Sequence, residues 1–247
     1  MCNIIAIIPA RYQSSRFPGK PLALINEKPM IQWVYERVSS VDKIKSVYVA
    51  TDDQRIYDEV INFGGNAIIT GEHNCGSNRL AEAINKIDGD FDIVLNIQGD
   101  EPMIKVEMIL DLISAFEDEN VYMATLKKEI KEDIEINNPN IAKLITDKNG
   151  YAIYFSRSTI PFNRDKIDNI KYYKHIGVYG YTKEFLKKFA NLPQTSLEIT
   201  EQLEQLRAIE SGYKIKVIET KYQSIGVDLP EHIKIVEKEM KKEGVRY

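Results

Sequence analysis

The chain of 247 residues is 43% hydrophobic with ordinary glycine and proline content, so it can bury a core and is no disordered segment. Thirty-three basic against 37 acidic residues give a net charge of −4 with no basic block, which excludes general nucleic-acid binding but leaves room for an anion in a local basic pocket. No apolar run approaches the roughly twenty residues that span a bilayer. No secretion signal opens the chain, and Cys2 and Cys75 lie in no metal or redox spacing, so a soluble, cytoplasmic protein without a membrane partner is expected.

In chain order, Ile4–Ile8 is a short β-branched run flush against Pro9, which predicts a strand buried on both faces. Pro29–Ser40 places Met30, Ile31, Val34 and Val38 at helix spacing. Ser46–Thr51 is strand-like, and Arg55–Phe63 helical with a Gly64-Gly65 stop. Asn66–Thr70 predicts a strand, Ser77–Ile87 a helix, and Phe91–Gln98 the strongest strand of all. Such alternation implies βαβ units, a mainly parallel sheet and helices on both faces. Later, Tyr122–Lys128 reads as a strand. Ile141–Ser158 reads as a hairpin around Asp147-Lys148-Asn149-Gly150, and Lys174–Thr182 as a further strand. Lys183–Asn191 and Glu198–Ser211 predict helices, Lys214–Glu219 a strand, and Pro230–Lys242 a closing helix. With no linker and no repeat, the expectation is one Rossmann-like three-layer α/β/α domain with inserted antiparallel strands.

Three stretches carry chemistry. The loop "PARYQSSRFPGKPL" (Pro9–Leu22) leaves a buried strand with Arg11, Arg16 and Lys20 as cations and Ser14 and Ser15 as hydroxyl donors, equipment for a polyphosphate. A Walker loop is excluded because Pro21 follows Lys20, and a dinucleotide fingerprint because its three spaced glycines are missing. A solvated connection is the plain alternative. "NIQGDEPMI" (Asn96–Ile104) ends a strand in carboxylates; Asp100 suits Mg²⁺ beside phosphate oxygens, whereas Glu101 reads as local turn structure. Asp228, after Gly226 and before Pro230, reads on its own as a helix cap.

These stretches, with "YFSRSTIPFNR", "HIGVYGY", "LEQLR" and "GVDLPE", resemble the CMP-Kdo synthetases, the 3-deoxy-manno-octulosonate (Kdo) cytidylyltransferases of the nucleotidyltransferase fold, in order and rough spacing. The resemblance spans Ile4 to about Met240. It implies CTP and Kdo as substrates, CMP-Kdo and pyrophosphate as products serving lipopolysaccharide or capsule synthesis, and a homodimer. It implies Arg11 and Lys20 on the triphosphate with Arg16 assisting, and Asp100 with Asp228 on Mg²⁺. Pro9, Ala10, Ser14, Ser77 and Arg79 would complete the nucleotide site. Arg157 would meet the sugar carboxylate, with Gln98, His175, Tyr179, Glu204 and Gln205 around the hydroxyls. The nucleotide part would cover roughly residues 1–125, the sugar and dimer part roughly 126–247. Two departures stand out: Ser77-Asn78 where the family reads Thr-Glu, and Thr195-Ser196-Leu197-Glu198 where it reads Ser-Pro-Leu-Glu. The second leaves open a variant acceptor such as 8-amino-Kdo. A nine-carbon sialic-type acid and a noncatalytic nucleotide sensor are the other readings.

Overall fold

The N-terminal apolar run forms β1 (Ile4–Ala10), six of whose seven residues are buried, as a strand covered on both faces requires. The phosphate-type loop follows, and then a small antiparallel ribbon, β2 (Leu24–Ile25) and β3 (Lys28–Pro29), turned by Asn26 and Glu27 at positive φ. Helix α1 (Met30–Ser39) buries Met30, Ile31, Trp33, Val34 and Val38, one stripe at three- and four-residue spacing. β4 (Ile44–Thr51) leads to α2 (Gln54–Asn62), capped by Asp53 accepting from the Arg55 N–H at 3.0 Å. β5 (Ala67–Ile69), α3 (Gly76–Ile84) and β6 (Ile93–Asn96) come next.

The computed structural model describes residues 2–73 and 75–244, which group into two compact units: Met1–Ile109 with Gln223–Tyr247, and Leu110–Tyr222. In the first unit the strands run β6-β1-β4-β5, and the β6–β1, β1–β4 and β4–β5 pairs are all parallel. The chain starts at β1, steps outward to β4 and β5, then returns to β6 on the other side of β1. Right-handed crossovers put α1 and α2 on one face and α3 on the other. The reversal between β1 and β6 is a topological switch point, and a crevice opens there beyond the carboxyl ends of both strands.

Helix α4 (Val106–Ser114) precedes the second unit's strands. There β7 (Met123–Glu129) is followed by the short α5 (Asp133–Ile136) and the hairpin β8 (Lys143–Thr146) with β9 (Ala152–Ser156). The Asp147 carboxylate accepts from the Asn149 and Tyr151 N–H groups and makes that turn. β10 (Tyr173–Thr182) lies antiparallel to β7. The helices are α6 (Lys183–Ala190), α7 (Ser196–Glu201) and α8 (Leu206–Glu210), and β11 (Lys216–Glu219) pairs parallel with β7. The single helix expected over Glu198–Ser211 is thus two. Gln202 adopts φ 53° and ends α7, which frees Glu198 to bind Arg207 through two buried bonds of 2.5 and 2.8 Å. The expected Phe91–Gln98 strand is also shorter, four residues long.

α9 (His232–Lys242) completes the first unit, burying Val236 and Met240 with Ile25, Met30, Trp33, Met103 and Val227. That core holds Val227, and hence its neighbour Asp228, beside the switch point. Among the described residues no helix is long and apolar enough to cross a membrane.

Candidate active site

A cavity of about 270 Å³ lies in the first unit, lined by residues that leave β1 (Pro9, Ala10, Arg11, Ser14, Arg16, Lys20) and β6 (Gln98, Gly99, Asp100). His73, Cys75, Gly76, Arg79, Pro21 and Asp228 complete the wall. Every nucleotide and metal candidate read from the sequence in this unit lines it except Ser15 and Ser77, the latter buried inside α3.

Two glycines shape the crevice. At Gly19 φ is +71°, and its N–H donates to the Tyr12 carbonyl at 2.8 Å, closing the loop before Lys20. A Cβ at Gly99 would stand 3.0 Å from the Pro9 carbonyl oxygen, so a larger residue there would have to displace that carbonyl from the end of β1. Tyr12 stacks under the Arg55 guanidinium, 3.3 Å from the ring centroid, and Arg55 pairs with Asp53. The loop is thereby tied to the start of α2.

At the loop's end, Lys20 Nζ donates to Asp100 Oδ2 at 2.5 Å and to the Val227 carbonyl at 2.9 Å, and stands 4.0 Å from Asp228 Oδ1. Arg16 Nη2 reaches the same Asp228 oxygen at 3.2 Å, and the Val227 N–H donates to the Asp100 carbonyl at 2.8 Å. Two carboxylates far apart in the chain therefore flank one cation. Two carboxylates suit a hard divalent ion that fills its remaining positions with phosphate oxygens and water. Among the described residues no cluster of three or more His, Cys, Asp or Glu forms a protein-only cage, so an ion here depends on its anion. Behind the pair, burial pushes the Glu101 carboxyl up to about 7, opposed by Ser224 and reinforced by Asp100 and Asp228; its Oε2 has no hydrogen-bond partner.

The "RLAE" stretch of α3 braces the loop that leaves β5. Arg79, almost fully buried, donates to Thr70 Oγ1 at 2.6 Å, to the Gly71 carbonyl at 3.4 Å and to Asp52 Oδ2 at 2.7 Å. Glu82 accepts from the Gly71 N–H and from His73 Nε2 at 2.6 Å. His73 was not anticipated from the sequence. Its one signal is its place two residues before the "CGSNRLAE" stretch in a chain with three histidines.

The second unit holds the remaining candidates. Arg157 gives Nε to the Glu201 carbonyl (2.8 Å), Nη1 to that of Pro139 (3.1 Å) and Nη2 to that of Gln202 (3.3 Å), closing the C-terminus of α7. Two of its five N–H groups remain for an anion. His175 Nε2 meets Thr125 Oγ1 at 3.0 Å, between the rings of Phe155 and Tyr179, and loss of water holds its imidazole down to about 3. The Tyr179 phenol is raised well above its usual range by burial and then by Glu204. Gln205 is buried with its Nε2 unpartnered. At the departure near residue 196, the Ser196 hydroxyl donates to Glu210 at 2.7 Å, a bond proline cannot make.

A family model described as cytidylyltransferase matches residues 5–216. The chain is 52% identical to a 3-deoxy-manno-octulosonate cytidylyltransferase of Thermodesulfovibrio yellowstonii, over 95% of this chain and 96% of that one. It is 51% identical to an 8-amino-3,8-dideoxy-manno-octulosonate cytidylyltransferase of Shewanella pealeana, over 95% and 97%. A solved structure of CMP:2-keto-3-deoxy-manno-octonic acid synthetase complexed with CTP superposes with a TM-score of 0.92 at 40% identity, covering 98% of this chain and 99% of that one.

Proposed function

The chain belongs to the 3-deoxy-manno-octulosonate cytidylyltransferases within the cytidylyltransferase family, and from that premise we propose that it transfers CMP from CTP to the anomeric 2-hydroxyl of Kdo, releasing pyrophosphate. The observation that carries this reading is the meeting of Asp100 and Asp228 at Lys20, beside Arg11 and Arg16, at the switch point. The sugar hydroxyl attacks the α-phosphorus in line, and the bond to the bridging oxygen breaks. Such transfers ask the protein mainly for alignment and charge neutralisation. Arg11, Arg16 and Lys20 hold the triphosphate and offset the charge that grows on the departing pyrophosphate. Asp100 and Asp228 would hold Mg²⁺, which when bound polarises the α-phosphate and lowers the pKa of the attacking hydroxyl. Pro9, Ala10, Ser14 and Arg79 belong to the nucleotide site, Ser77 supporting it from within α3. Arg157 receives the acid's carboxylate through its two spare donors, and Gln98, His175, Tyr179, Glu204 and Gln205 surround the hydroxyls.

The protein works in the cytoplasm, as a homodimer built through the later half of the chain, roughly residues 126–247, with the nucleotide held by roughly 1–125. The 8-amino acceptor is the second reading, supported by the 51% identical Shewanella relative and by the Ser196 departure. The deciding experiment is pyrophosphate release with CTP and Mg²⁺ against Kdo, its 8-amino analogue and a sialic-type acid. Release with Kdo is expected, and EDTA is expected to stop it until Mg²⁺ is restored. CTP binding with no product from any acid would leave a sensor instead.

A further inference from the structure

The loop from β5 to α3 brings His73 into the pocket wall, where the transfer described above makes no use of it. Its partner fixes its hydrogen-bonding sense. Glu82 accepts from Lys86 (2.7 Å), from His73 Nε2 (2.6 Å) and from the Gly71 N–H, and these bonds, that of Lys86 foremost, hold its carboxyl down to about 2. An ionised carboxylate only accepts, so the His73 proton sits on Nε2. In the neutral ring Nδ1 is left as an acceptor, and no hydrogen bond to it forms among the described residues.

His73 also stands at the suitable end. Arg11, Arg16, Lys20 and Asp100 come from the loops after β1 and β6 and Asp228 from the segment before α9, whereas at the His73 end Arg79 is tied to Asp52 and Cys75 and Gly76 bring no charge. β5 and β6 lie three strand spacings apart, about 14 Å. A nucleotide bridges such a span with its triphosphate at one end and its base at the other.

Resting on the assignment of this pocket to a cytidine nucleotide, we propose that His73 selects cytosine over uracil, its Nδ1 accepting a hydrogen bond from the 4-amino group. Uracil carries a carbonyl oxygen at that position, so acceptor would face acceptor, and the selection combines attraction with repulsion.

The test is equilibrium binding of CTP and of UTP with Mg²⁺, without sugar, by calorimetry on the wild type, His73→Leu and His73→Gln, with folding checked by circular dichroism. Glutamine keeps a donor where Nε2 lies, and so holds Glu82 and the loop, but offers no acceptor at the δ position. CTP affinity is expected to fall about tenfold in both variants, the weight of one lost hydrogen bond, while UTP affinity holds or rises. If the leucine variant does not fold, the glutamine variant decides. An unchanged CTP-to-UTP ratio, or parallel loss of both nucleotides, would overturn the assignment and leave His73 a brace of the loop. Because no acceptor sugar is present, a wild type inactive with every acid sinks the transfer reading alone. A wild type that binds CTP and UTP equally sinks the base assignment alone.

Discussion

At the scale of single residues, Lys20 is the hinge of the site because it now neutralises the two carboxylates that a divalent ion would occupy. Asp100 and Asp228 would hold a divalent ion brought in with a triphosphate, and the Lys20 ammonium would then be free to turn to the phosphates. Asp100→Asn and Asp228→Asn keep the shape and remove one charge each, so turnover is expected to fall about 10²- to 10³-fold with folding retained. Pyrophosphate release and a thermal melt measure both; near-normal rates in the two variants would remove the metal pair from the mechanism. His175 makes a second residue-level prediction. Its imidazole titrates at about 3 in the folded chain and near 6.5 when unfolded, so between these values the unfolded state binds the extra proton. Stability is therefore lost as pH falls from about 6.5 towards 3, by at most about 1.4 kcal/mol per pH unit. The urea midpoint of wild type should drop between pH 7 and 4.5 more steeply than that of His175→Gln.

At the scale of elements, α3 does its work through a neighbour: two side chains one turn apart, Arg79 and Glu82, clamp the loop after β5. Arg79→Gln leaves Asp52 without its partner beside a buried strand end. The expected loss is about 3 kcal/mol in chemical denaturation, the cost of breaking a largely buried pair, accompanied by weaker CTP binding. Where β1 and β6 converge, Gly99→Ala must push the Pro9 carbonyl aside; a loss of about 1–3 kcal/mol is expected, with a raised KM for CTP. Elements of this kind were largely legible in the sequence, because buried parallel strands read as apolar runs and α1 shows its stripe at helix spacing. The β2–β3 ribbon was not, since two-residue strands leave no period to read. Nor was the break in Glu198–Ser211, where Gln202 takes a left-handed conformation that the buried Arg207–Glu198 pair rewards.

At the scale of the whole molecule, residues in one loop could be recognised as a set, but partnerships across the chain could not. The charge pattern of Arg11–Lys20 was visible in ten residues, whereas Asp228 alone looked like a helix cap. Only the core that joins α9 to β2 and α1 carries it to Asp100. His73 escaped notice because its role depends on Glu82, Gly71 and the pocket together. One whole-molecule prediction remains. The second unit leaves Phe162 84% exposed and Ile134 82%, with Ile167, Ile199 and Ile153 more than half exposed. Large apolar side chains in water forgo burial worth roughly 1.5–3 kcal/mol each, and a partner subunit that covers them recovers it. Light scattering is therefore expected to give one species of twice the 28.4 kDa chain mass. Charge at such a position should oppose that burial, so Phe162→Glu is expected to shift the population towards monomer without lowering the helical circular dichroism signal. A wild type that scatters as a 28.4 kDa particle at tens of micromolar would dismiss the homodimer.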